Sequence, residues 1–135
     1  MALQYSTSVR NAQLDAIETA ISTSAVLKLR SGSPPSDVAT ADSGTVLATL
    51  SLPSDWLAAA SSGSKAKSGT WEDTSADATG TIGHFRVYAS DGTTAHIQGT
   101  VTATGGGGDM TVDNTSVASG QNVTVSSFTI SRGNA

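Results

Sequence analysis

The chain has 135 residues and a formal charge of −4, about one domain's worth of sequence. Only seven Lys and Arg stand against eleven Asp and Glu, which argues against a nucleic-acid surface, and the absence of cysteine excludes disulfides, zinc–thiolate sites and cysteine nucleophiles. Ser, Thr, Ala and Gly supply more than half of the residues, while Leu, Ile, Val and Phe supply about a fifth, so the expected core is thin and built of small side chains.

Charged residues make up only 13% of the chain, so a globular fold is expected rather than disorder. There is no run of 18 apolar residues and no basic–apolar leader at the first residues, so neither a membrane span nor a signal peptide is expected. Residues 1–24 read as an arm and a helix. Leu14, Ile17 and Ile21 recur at the helical period over about residues 8–22, with Ser8 as the expected N-cap and Asp15 and Glu18 on the polar side. That apolar stripe either packs on the domain's own sheet or docks on another subunit.

Residues 25–135 read as a β-sandwich, a single compact domain together with the helix. Ala25, Leu27 and Leu29 alternate with Val26, Lys28 and Arg30 until Pro34-Pro35 breaks the pattern. Val46, Ala48, Leu50 and Leu52 form the next inward face. Trp56–Ala60 is either one helical turn or a short strand, and Lys65–Asp73 reads as a strand anchored by Trp71.

Residues 82–90 and 94–103 form the clearest hairpin. A three-residue loop at Asp91-Gly92-Thr93, with Gly92 left-handed, pairs Val87 with Ile97 and Phe85 with Gly99. It sets Arg86 opposite Gln98 and Tyr88 opposite His96 on a polar face, where Arg86 is expected to matter little for stability. Gly105–Gly108 reads as a flexible turn. In the last strand, Val123 and Val125 are followed by Phe128 and Ile130, a slip of one residue at Ser126-Ser127 that predicts a β-bulge or a crossing between sheets. Short strands at this spacing predict an all-β antiparallel sandwich or jelly roll with one N-terminal amphipathic helix.

The residues offer little chemistry. His84 and His96 lie about 13 Å apart in the hairpin register, at roughly 3.3 Å per strand residue, too far to share a metal ion. Glu72-Asp73 and Asp77 form an acidic stretch that reads as a solvated loop rather than a calcium site, since it lacks the regular acidic spacing of a known loop. No phosphate-binding, hydrolase-elbow or metalloprotease motif is present. No catalytic, cofactor-binding or metal residue is therefore expected, and the protein is not expected to be an enzyme. Trp56 and Trp71 read as core anchors, with an aromatic sugar platform as the alternative.

Two stretches carry a resemblance. Ser8–Glu18 runs on to Ala25–Gly32, and Gly105–Met110 is followed by a Thr/Ser/Val-rich tail ending Gly133-Asn134-Ala135. With Ala41–Thr45 and Pro53–Trp56, they resemble a family of small structural proteins of tailed bacteriophages and prophages, similar in size and character to jelly-roll cement proteins on phage heads. The resemblance implies a homo-oligomeric decoration protein on the outer surface of the virion, made in the host cytoplasm. Its implied partners are the major capsid protein and copies of itself, as a dimer or trimer, with no nucleic acid, membrane or cofactor. The contact residues expected on this reading are Leu3, Tyr5, Leu14, Ile17, Ile21, Phe128 and Ile130. A tail, fibre or receptor-binding sandwich is the alternative, with Trp56, Trp71 and Tyr88 as the sugar-stacking rings.

Overall fold

The computed structural model describes residues 2–134. Helix α1 (Thr7–Ile21) is followed by nine strands. They are β1 (Val26–Ser31), β2 (Val46–Ser51), β3 (Ser64–Ala66), β4 (Glu72–Asp73), β5 (Gly80–Tyr88), β6 (Ala95–Ala103), β7 (Met110–Val112), β8 (Ser116–Val117) and β9 (Val123–Ser131). The strands form one strongly curled sheet in the order β2-β1-β5-β6-β7-β9-β3, with β4 on β9 and β8 on β5. The fold is all-β and sandwich-like, with one N-terminal helix.

The helix starts earlier than its sequence suggests. Ser6, not Ser8, is the N-cap: its hydroxyl accepts from the Val9 amide, and Ser8 turns its own hydroxyl onto Ser6. Two serines two residues apart can each cap, and the approach of the chain decides between them. That approach is fixed because Tyr5 exchanges two hydrogen bonds with the Asn134 side chain.

The hairpin β5–β6 keeps the expected register from His84↔Thr100 to Val87↔Ile97, but Tyr88 faces Ala95 and not His96. The cause lies in the loop. Asp91 accepts hydrogen bonds from the amides of Thr93 and Thr94 and from the Thr94 hydroxyl, and Ala89 donates to Thr94. The loop is therefore one residue longer than expected, and His96 becomes the extra residue of a β-bulge. Gly92 does adopt the left-handed conformation, at φ +70°.

The slip at Ser126-Ser127 is also a bulge. Thr111 pairs with Ser127 while Val112 pairs with Val125, so Ser126 is the residue left over. Val123, Val125 and Phe128 can thereby all face inward. The stretch read as one strand from Lys65 to Asp73 is two short strands, because Gly69 turns the chain at φ +72°. Trp56–Ala60 is not a helical turn; it is extended, with a bridge from Leu57 to Lys67.

One pair departs from the antiparallel expectation. β7 runs parallel to β6, with Val101 opposite Met110 and Ala103 opposite Val112, after a return of only six residues. Parallel neighbours usually need a crossover of about a dozen residues or more. Glycine makes the short return feasible: Gly105 and Gly107 take φ +86° and +82°, and a Cβ on Gly106 would sit 2.7 Å from Thr102. In this return Gly106 and Gly108 pack against Thr102, while Gly105 and Gly107 supply the left-handed backbone in open space. The Asp109 carboxylate closes it by accepting from the amide and hydroxyl of Thr100.

Trp56, Trp71, Phe128 and Phe85 form a chain of aromatic contacts through the core, with ring centroids 6.0, 5.7 and 5.4 Å apart in that order. Each indole N–H is satisfied by a carbonyl, that of Ser22 for Trp56 and that of Ser68 for Trp71. Four large rings supply volume that the small-residue composition lacks. The acidic stretch has a structural use as well. The segment after β4 lies along the outer edge of β2: Asp77 donates its amide to Leu47 O, Asp73 accepts from the Thr49 amide, and Asp77 accepts from the Thr49 hydroxyl. An edge that would otherwise be open to pairing is covered by the chain itself.

Candidate functional site

Two polar systems and one apolar cleft stand out. The first polar system lies under residues 32–45. The face of β5 that carries His84, Arg86 and Tyr88 reads as polar, yet all three residues are buried, because this Pro-Pro loop folds across it. The Asp42 carboxylate is the centre. One oxygen accepts from Arg86 Nη1 and from the Tyr88 hydroxyl, both at 2.8 Å, and the other accepts from Arg30 Nη2 at 2.8 Å. Arg86, 2% exposed, also donates to Gln98 Oε1 and to the carbonyls of Asp37 and Thr40. Gln98 in turn donates to Pro35 O.

Burial alone would raise the Asp42 carboxyl, but the Tyr88 hydroxyl and the two guanidiniums hold it below the ordinary carboxylate value. Burial first, then the Asp42 hydrogen bond, pushes Tyr88 up. Arg30, Arg86, Tyr88 and Gln98 each donate to residues 35–44, so the cluster clamps the loop to the sheet. Arg86 is therefore not dispensable. His84 is also fully buried, with Nδ1 on Gly32 O, whereas His96 is exposed on its bulge.

The second polar system fixes the helix. Asn11, Asp15 and Glu18 recur at i, i+4 and i+7, one stripe of α1. They accept from the amides of Gly63, Ala60 and Leu57, and both carboxylates also bind the buried ammonium of Lys65. Burial lowers Lys65, but the hydrogen bonds and charges of Asp15 and Glu18 outweigh it and hold the ammonium above its ordinary value. The side of the helix read as polar thus docks on residues 57–65.

Held along that flank, α1 stands off the sheet on the other. This opens a cleft of about 520 Å³, walled by Ile17, Ala20 and Ile21 of the helix and by Phe85, Ile97, Phe128 and Ile130 of the strands, with His96 and Asp109 on its rim. Four of the seven expected contact residues, Ile17, Ile21, Phe128 and Ile130, meet here although they come from opposite ends of the chain. Leu14, Ile21 and Phe128 are themselves buried in this chain's own core, so they are not free to bury surface on a partner. Ile17 and Ile130 are half-buried in the cleft. Among the described residues Leu3, Tyr5 and Val9 are the exposed large apolar ones, at 74%, 42% and 43%, clustered on the arm and first helical turn.

The rings that a sugar-stacking platform would use, Trp56, Trp71 and Tyr88, are all buried. Among the described residues no three His, Asp or Glu side chains are grouped to hold a metal ion, and no helix is long and apolar enough to cross a membrane. The cleft could be read in the sequence only as separate periodic positions. Its existence depends on which flank of the helix the carboxylates tie down. Set against models of protein families, curated protein sequences and solved structures, the chain matches none.

Proposed function

We propose that this chain is a structural protein of a tailed-bacteriophage particle, a decoration or cement protein that clamps neighbouring major capsid subunits by non-covalent contact. The observation that carries the reading is the pairing of an exposed apolar arm with an open apolar cleft on one small, rigidly braced domain. The sequence resemblance to phage structural proteins supports it. The covered edge of β2 supports it further: attachment then runs through side-chain surfaces rather than through strand addition. Many copies per shell, each burying a modest area, would stabilise the shell by avidity.

The alternative of a tail or receptor-binding module is less well supported, because the rings it would use for sugar stacking lie inside the core. The test is to prepare particles without this protein and heat them beside complete ones. Loss of DNA at a lower temperature is the expected result, since binding to the assembled shell stabilises it by mass action. Unchanged DNA retention, with lost adsorption to host cells, would overturn the reading in favour of receptor binding.

A further inference from the structure

We infer that the cleft takes an extended, apolar segment of another polypeptide as an added strand, placed in a gap that the sheet leaves between β6 and β9. The inference goes beyond the decoration reading and does not rest on it.

The gap follows from the pairing. β7 separates β6 from β9, but it is only three residues long. It covers residues 101–103 of β6 and 125–128 of β9. Residues 95–98 at the start of β6 and 129–131 at the end of β9 extend past it, and among the described residues no strand pairs with them on that side. The gap ends at Gly99, where a Cβ would sit 2.8 Å from the Asp109 carboxylate. Residues 96–98 and 129–131 all line the cleft.

These stretches present backbone to the gap. Thr100 and Thr104 both turn their amides away from β5, onto the Asp109 carboxylate and Val112 O. Strand amides alternate in direction, so the N–H and C=O of Gln98 point the same way, into the gap. The Gln98 side chain is engaged elsewhere, on Arg86 and Pro35. On β9, Phe128 O and the Arg132 amide bond toward the β3 side, to Lys67 and Gly63. By the same alternation the N–H and C=O of Ser131 face the gap. Among the described residues neither the Gln98 nor the Ser131 amide has an acceptor there.

Two open rows of ladder groups facing one cleft are matched by the backbone of an inserted strand. A lipid or other hydrocarbon would fill the apolar floor and leave those groups unmet, so the occupant is a peptide. The floor is Ile17, Phe85 and Phe128, which calls for an apolar residue at every second position. Asp109 on the rim is exposed and forms no ion pair among the described residues, so a Lys or Arg at the end nearest it is favoured. The free stretches fit three or four residues, about 10–13 Å of strand at roughly 3.3 Å per residue. The outer edge of β2 is closed to such an addition by the chain that runs along it, whereas this inner gap has no such cover.

The probe is the blocked peptide acetyl-Lys-Val-Thr-Val-Thr-amide, titrated into the full chain and followed by amide resonances and hydrogen exchange. In the free chain the Gln98 and Ser131 amides should exchange much faster than those of Gly99 and Ile130, which face β5 and β3. The peptide should protect both. Methylating alternate backbone nitrogens of the probe, in either phase, should weaken binding about tenfold or more with every side chain kept. Glu in place of the probe's Lys should weaken it several-fold. Ala20→Trp, on the exposed helical wall of the cleft, should abolish binding and leave the melting midpoint unchanged. No binding at millimolar peptide, or equal binding of the methylated probe, would overturn the inference. So would Gln98 and Ser131 amides already protected in the free chain, which would mean that its own arm or a second copy fills the gap. The decoration reading is tested on particles, so the two can fail separately.

Discussion

Replacing Arg86 with Ala tests the clamp beneath residues 32–45 directly. The side chain is 2% exposed and makes five hydrogen bonds. Its removal leaves Gln98 Oε1 and the carbonyls of Asp37 and Thr40 without the donor they now share. Asp42 keeps Arg30 and Tyr88. Removing one partner of a fully buried ion pair costs about 3–5 kcal/mol. The Asp42 side chain is 36% exposed, so solvent screens part of that loss, while the lost bonds to Gln98 Oε1 and the Thr40 carbonyl and the emptied volume add to it; the Asp37 carbonyl keeps the Thr40 amide. The expected destabilisation is about 3 kcal/mol, or roughly 10 °C in melting temperature for a domain of this size. Urea titration followed by the fluorescence of the buried Trp56 and Trp71 measures it. Arg86→Lys, which keeps the charge but loses the planar fork, should fall between Ala and the parent. A loss below about 1 kcal/mol for Arg86→Ala would refute the view that the loop is clamped through this residue.

Val87→Asp places an unpaired carboxylate at a position with no exposure and should cost more than about 4 kcal/mol, enough to abolish the cooperative melt. Gly106→Ala drives a methyl group to 2.7 Å from Thr102 and should lower the urea midpoint, whereas Gly92→Ala meets open space and is limited to about 1 kcal/mol by its left-handed backbone. Asp42 titrates below its ordinary value of 3.8 in the folded state, so its contribution is complete above that pH and is lost as the pH falls through the folded value. The acid limb of a stability–pH curve should therefore flatten in Asp42→Asn. Lys65 titrates above its ordinary 10.5, so its contribution holds below that pH and is lost on going higher; Lys65→Met should remove this alkaline limb.

Periodicity located the helix, the hairpin and the inward faces of β1 and β2, because each depends on neighbours within a few residues. The bulge at Ser126 was legible for the same reason: an alternation that changes phase must spend one residue. What stayed hidden depends on partners distant in sequence. Arg86 and Tyr88 read as a wet face because nothing nearby shows that a loop 40 to 50 residues earlier brings Asp42 onto them. The turn at Gly105–Gly108 is legible as a turn, but not that it returns the chain parallel to β6, because that depends on Thr102 packing against Gly106 and Gly108. The cleft is present in the sequence only as separate periodic positions, since the same stripe of Ile17 and Ile21 fits a helix pressed flat on the sheet.

The placement of β9 bears on how the chain is made. This strand pairs with β7 on one side and with β3 and β4 on the other. During synthesis, residues 26–103 can already assemble β2, β1, β5 and β6 as neighbours. β4, β7 and β3 gain their β9 partners only as residues 123–131 emerge, β3 last of all. Until then Trp71 and Met110 lack Phe128, Val125 and the closing face of the core. Until the last strand is added, the apolar face of the half-sheet has no cover, which is the kind of surface that makes partly folded chains prone to aggregate.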